Sequence, residues 1–127
     1  MTIHKISSPH VPDPPPETWS NCLVVDGVAY FAGATAPGAG PDEYAQAKGI
    51  LTKIKHLVEA AGGSMADIVK VTIFVTDIKN REQVWRARRE FFTGDFPVST
   101  LVQIAALATP ETRVEIDTIA HIGASRR

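Results

Sequence analysis

The segment from Phe96 to His121, FPVSTLVQIAALATPETRVEIDTIAH, constrains the fold of this chain more than any other. Two strand-like runs, Pro97–Ile104 and Arg113–His121, flank a turn-prone Thr109-Pro110-Glu111-Thr112. Successive side chains of a strand point to opposite faces. The second run therefore sets Val114, Ile116, Thr118 and Ala120 on one face and Glu115, Asp117, Ile119 and His121 on the other. The first set suits a core. The second mixes two carboxylates, an isoleucine and an imidazole, which marks the neighbourhood of a site.

Upstream, residues 3–6 predict a short edge strand, and five prolines between Pro9 and Pro16 then impose an extended surface segment without ladder donors. Asn21–Val25 and Val28–Ala32 form a hairpin about Asp26-Gly27, because a two-residue turn of the favoured type needs positive φ at both central positions. Gly33–Gly40 is a loop, and Asp42 is an N-cap for a helix. That helix carries Tyr44, Ala47, Leu51, Ile54, Val58 and Ala61 at spacings of three and four, widened by Ile50 and Leu57, and ends at Gly62-Gly63. Ile68–Val75 is a strand with Val69, Val71, Ile73 and Val75 on one face. Asn80 and Gln83 have capping-box spacing for a second helix to about Thr93, burying Val84, Ala87 and Phe91 with Trp85 and Phe92 alongside. Glu82–Arg86 and Arg86–Glu90 are spaced as i,i+4 ion pairs.

The order is β-β-β-α-β-α-β-β, an α+β sandwich with two helices on one face of a mixed sheet of about six strands. At 127 residues the chain forms one domain, 1–127. Two helices cover only one sheet face. Val98, Thr100, Val102 and Ile104, with Asn21, Leu23 and Val25, supply one apolar side, while Cys22, Val24, Leu101 and Ile119 populate the other. An apolar face left open is an association surface, so a homo-oligomer with packed sheets is expected.

Net charge is −1 and the pI about 6.4, so the basic surplus of nucleic-acid modules is missing. No run approaches the roughly 20 apolar residues of a spanning helix, and MTIHKISSPH lacks a signal-peptide core. A cytoplasmic protein with neither membrane nor nucleic-acid partner is expected. The single cysteine, Cys22, lies in a strand and reads as a small buried residue rather than a nucleophile.

Tyr30-Phe31-Ala32-Gly33, Val58-Glu59-Ala60-Ala61-Gly62-Gly63, Asp67 to Asp77, Phe91-Phe92, Phe96-Pro97 and Arg113 to Ala120 occur here in one order and spacing. In these pieces the chain resembles the Rid (YjgF) family over nearly its whole length. The resemblance implies a chorismate-mutase-like fold and a homotrimer with a small-molecule cleft at each subunit interface. It also implies hydrolysis of reactive enamines and imines to ammonia and a keto acid, without metal or cofactor. The glutamate that orients the attacking water is retained as Glu115. Ser99 stands where the family deaminases carry the arginine that grips the substrate carboxylate. One hydroxyl cannot supply that charged fork. Leu101 replaces a frequent cysteine, Trp19 a loop tyrosine, Ala32 a serine and Trp85 an asparagine, so the chain resembles a divergent member with a more aromatic pocket.

Glu115 is thus the candidate catalytic base, and Trp19, Ala32, Trp85, Ser99 and Leu101 are the candidate substrate-binding residues. Asp117, about 6.6 Å further along the strand, reads as structural. His121, about 13 Å from Asp117 along the strand, cannot pair with it directly. His4, His10 and His56 show no ligand spacing, so no metal is expected. Arg81, Arg86, Arg88 and Arg89 read as a solvated helix face, with Arg88 and Arg113 the minor candidates to replace the missing charge. The expected activity is hydrolysis of a small enamine or imine, 2-aminomuconate being one flat example. The alternative is a non-catalytic small-molecule-binding protein.

Overall fold

The computed structural model describes residues 2–126. Its strands are β1 (Ile3–Lys5), β2 (Cys22–Val25), β3 (Val28–Ala34), β4 (Ile68–Val75), β5 (Val98–Gln103) and β6 (Val114–His121). Helix α1 (Glu43–Ala60) precedes β4, and α2 (Arg81–Arg89) follows it. The six strands form one sheet, β1-β2-β3-β6-β4-β5, in which only β4 and β5 run parallel. The sequence-derived order of elements is the observed one.

Local chemistry explains the boundaries. Asp26 and Gly27 both take positive φ, 52° and 79°, closing the β2–β3 hairpin. The Asp42 carboxylate accepts from the Ala45 N–H at 2.8 Å, capping α1. At its other end Gly62 is left-handed, and the Gly63 N–H bonds back to the Val58 carbonyl at 2.9 Å. The core lies between α1 and the sheet: Ile50, Leu51, Ile54 and Val58 are buried with Val71, Ile73, Val75, Val114 and Ile116.

Several local expectations are corrected. The β4–β6 register shifts between Ile68 and Lys70, so Ile68 is buried and Val69 turns outward. Asn80 does not cap α2. Its amide donates to the buried Glu43 carboxylate at 2.8 Å, and the Gln83 amide oxygen accepts from the Tyr44 N–H at 3.3 Å, so both tie α2 to the start of α1. Helix α2 ends at Arg89, where the chain turns Phe92 into the core. The i,i+4 pairs give way to Glu82–Arg89 and Lys48–Glu90, while Arg86 lies over the Tyr44 ring.

The strand faces also divide differently, because Ile119 parts from Cys22, Val24 and Leu101. Cys22 pairs with Phe31, which pairs with Thr118, and all three are buried on the helix side. Leu101, opposite Ile73, packs against the core. Leu23, Val25, Val98, Thr100 and Val102 therefore lie with Ile119 on the face the helices leave open. A one-residue change of register reverses a strand's faces, and the hairpin turn sets that register. Burial on the helix side pushes the Cys22 thiol up to about 11, which suits a packing residue rather than a nucleophile.

The start of β4 is fastened to the C-terminal segment through Asp67. Its buried carboxylate accepts from the N–H groups of Ser64, Gly123 and Ser125 and from the Ser125 hydroxyl, at 2.6 to 3.1 Å. Burial pushes its pKa up, but the four hydrogen bonds outweigh burial and hold it at about 2, below the usual 3.8. The lowered value stabilises the fold above pH 4, by about 2 kcal/mol. That contribution is lost as pH falls through the folded value. Asp67→Asn should flatten the acid limb of urea-unfolding stability between about pH 4 and 2; an unchanged limb would exclude this anchor.

Candidate functional site

Glu115 sits on β6 opposite Phe74 of β4, on the open face and half-buried. Its surroundings come from an irregularity in β3, whose pairing with β6 shifts between Phe31 and Ala34. The backbone of Gly33 then lies directly against the Glu115 carboxylate: a Cβ there would stand 2.5 Å from Oε2 and 2.8 Å from Cδ. No side chain fits at position 33 while Glu115 keeps its place. Burial first, and the charge of Asp117 second, raise the Glu115 pKa above the ordinary glutamate value. A carboxylate so raised is a better proton acceptor than a solvated one. Gly33→Ala is therefore expected to swing the carboxylate aside, which a crystal structure of the variant would reveal. An unmoved Glu115 would refute the contact.

Trp19, Ala32 and Gly33 line a cavity of about 230 Å³ with the proline segment, Lys53 and Leu57. Trp19 is 57% exposed at its wall. The Lys53 ammonium donates to the Thr35 carbonyl at 2.7 Å. Glu115 touches Gly33 without lining this cavity.

Ser99 and Leu101 lie on β5, an edge strand, opposite Val71 and Ile73 and hence on the helix side. There the Arg88 guanidinium, through Nη1, donates to the Ser99 Oγ at 2.8 Å. Trp85 stands one turn before Arg88, half-buried, with the Arg81 guanidinium 5.7 Å from its ring centre. Arg88 thus leaves the solvated face expected of it. Arg113 is elsewhere, at the head of β6, its N–H bonded to Gln46 at 2.8 Å.

Register decides what a single chain can assemble. Glu115 is opposite Phe74 and Ser99 is opposite Val71, so three residues of β4 separate their levels. An odd separation puts them on opposite faces, with about 10 Å of strand between. Trp19 and Ala32 line one cavity, Glu115 reaches only Gly33 beside it, and on the other face Arg88 of α2 is bonded to Ser99 of β5. His121, exposed opposite Val28, joins neither. His10 and His56 stack with ring centres 4.4 Å apart, a pairing their spacing does not signal. Among the described residues no group of three or more His, Cys, Asp or Glu is placed to hold a metal ion.

Sequence reasoning missed Gly33 as the neighbour of Glu115 and Gln46 as the support of β6. Gln46 had a signal, being a polar residue four before Ile50 on the apolar stripe.

A six-stranded mixed sheet with two helices on one face and an acid-bearing closing strand defines a protein of the chorismate-mutase-like fold. The chain belongs to the Rid (YjgF) family: the profile described as endoribonuclease L-PSP matches residues 12–122. A Pseudomonas aeruginosa protein of unknown function is 38% identical, over 96% of this chain and 94% of that one, with a TM-score of 0.90. A Mycobacterium tuberculosis member of the YjgF/YER057c/UK114 family is 31% identical over 82% of this chain and 86% of its own, TM-score 0.77. Escherichia coli TdcF, solved with bound serine, is 25% identical over 93% and 98%, TM-score 0.83.

Proposed function

We propose that this Rid-family protein hydrolyses a small enamine or imine metabolite in a cleft between the subunits of a homotrimer, with specificity altered from that of the family deaminases. The observation that carries the reading is the half-buried Glu115 carboxylate, raised in pKa and seated against Gly33. It lies on the opposite sheet face from Ser99, to which Arg88 is bonded. Two half-sites on opposite faces are what an intersubunit cleft would need. The open face with Val98, Val102 and Tyr30 exposed supports packing of sheet on sheet.

In this mechanism Glu115 takes a proton from water as its oxygen bonds to the C=N carbon. The C=N π pair moves to nitrogen, which takes that proton back from Glu115. The resulting carbinolamine then expels ammonia, leaving a carbonyl. The edge strand β5, hydrogen-bonded along one side only, offers backbone N–H groups to developing negative charge near Leu101. Trp19 and Trp85 favour a flat, conjugated substrate, 2-aminomuconate-like rather than a short amino-acid imine. No metal or cofactor is required by these steps. No helix among the described residues is long and apolar enough to cross a membrane, and we place the activity in the cytoplasm.

The test is ammonia release from 2-aminoacrylate, iminopropionate and 2-aminomuconate, beside sedimentation equilibrium. Release from at least one substrate by a species of three times the chain mass supports the proposal. A stable monomer, or no release from any, overturns it.

Ser99, a hydroxyl where a charged fork stands in the deaminases, favours a second reading: binding without turnover in the same pocket. Ligand-induced thermal stabilisation with no product would select it. The ribonuclease in the profile's description finds no support here. The net charge is −1, without the basic surplus that a polyanionic substrate calls for.

A further inference from the structure

The proline segment between β1 and β2 carries Trp19 and walls the cavity beside Gly33, yet little fastens it down. No residue from Pro9 to Thr18 pairs in the six-stranded sheet. Among the described residues, its one hydrogen bond to the body beyond Ser8 runs from the Asn21 amide to the Pro12 carbonyl, at 3.0 Å. Val11 is buried and lines the cavity, its N–H turned back onto the Ser8 carbonyl. A third fastening is the stack of His10 on His56, with ring centres 4.4 Å apart and planes 26° from parallel.

His56 projects from the flank of α1 that also carries Lys53, one turn earlier, whose ammonium is spent on the Thr35 carbonyl. The other titratable groups about the pair are Glu59, one turn later on α1, Asp13 on the segment, and His4. Register with Val24 puts His4 on the helix side of β1. Neither ion pair among the described residues includes any of these groups.

Imidazole is the side chain that ordinarily changes charge between about pH 5 and 8. One protonated ring can stay stacked on a neutral one, a cation resting on an uncharged aromatic face. Two protonated rings at this separation repel, and no carboxylate pairs with either of them. Rings held apart accept the second proton more readily, so falling pH favours the separated state and rising pH restores the stack. Joint chelation of a metal is a poorer use of the pair. Nitrogen lone pairs lie in the ring planes, and near-parallel planes do not aim them at one point.

We propose that His10 and His56 form an acid-released latch, which holds the proline segment against α1 and so keeps Trp19 at the wall of the cavity. The latch stands on the ring pair alone and holds whether or not Glu115 is a catalytic base.

The test is amide hydrogen exchange of the full chain, corrected at each pH for intrinsic rates, beside Trp19 emission in a Trp85→Phe background. Protection of the Val11 amide should fall at least about five-fold between about pH 7.5 and 5.5, while the β6 amides keep theirs. Trp19 emission should shift over the same range, since Trp85→Phe leaves it the only tryptophan. His56→Phe keeps a ring under His10 but takes no proton, so both changes should vanish. His56→Gln removes the stack, so Val11 should be weakly protected already at about pH 7.5. If His56→Phe does not fold, His10→Phe decides, with the same outcome expected.

Wild type keeping its Val11 protection in acid overturns the proposal. So does an acid response that survives in the folded phenylalanine variant. A parallel loss across β6 would mark general acid unfolding and remove the latch as well. Exchange that responds while Trp19 emission stays constant would sever the latch from the cavity and end the proposal.

Discussion

Replacing Glu115 by glutamine is expected to lower kcat/KM for imine hydrolysis at least about 100-fold, with little change in melting temperature. Glutamine keeps the shape that fits against Gly33 but cannot accept the proton of the attacking water. The raised pKa adds a signature that a merely structural residue lacks. A base works when ionised, so activity should rise with pH through the Glu115 pKa. Asp117→Asn removes a negative charge that raises that pKa, so the acid limb of the pH–rate profile should move to lower pH. The move should be partial, because burial is the larger cause and the substitution leaves it in place. An acid limb unmoved by Asp117→Asn, or full activity in Glu115→Gln, would remove Glu115 from the chemistry.

Gln46→Leu is expected to destabilise the fold by about 2 kcal/mol, as three part-buried backbone groups lose one shared partner together. Gln46 is fully buried on α1. Its amide nitrogen donates to the carbonyls of Gly40 at 3.0 Å and Glu111 at 2.9 Å, and its oxygen accepts from the Arg113 N–H at 2.8 Å. One side chain thus joins the loop before α1, the β5–β6 connection and the head of β6, two residues before Glu115. Leucine fills a similar volume but leaves two carbonyls and one N–H without their side-chain partner at a part-buried site. Urea unfolding should show a lower midpoint at nearly unchanged slope. A loss under about 1 kcal/mol would mean that water reaches these groups and the bridge carries little.

Much of the fold was legible along the chain. The hairpin at Asp26-Gly27, the Asp42 cap and the Gly62-Gly63 stop all rest on conformational preferences of one to four adjacent residues. So does the alternation of Val114, Ile116, Thr118 and Ala120, all buried as expected. Failures came where a distant partner competed for a local group. Asn80 had the spacing of a capping residue, but the buried Glu43 carboxylate, 37 positions away, takes its amide. Glu82 and Glu90 found cations on other turns and another helix. Arg88 looked like a surface charge until α2 was laid beside β5.

From its residues taken in line, the chain settles which elements form, where they stop and in what order they follow. Those outcomes depend on backbone preferences, caps and periodicity within a few positions. Packing alone decides which side of each strand meets the helices, and that Glu115 and Ser99 face apart. Strand parity follows from register against a partner far off in the chain, and single-residue shifts in β3 and β4 change it.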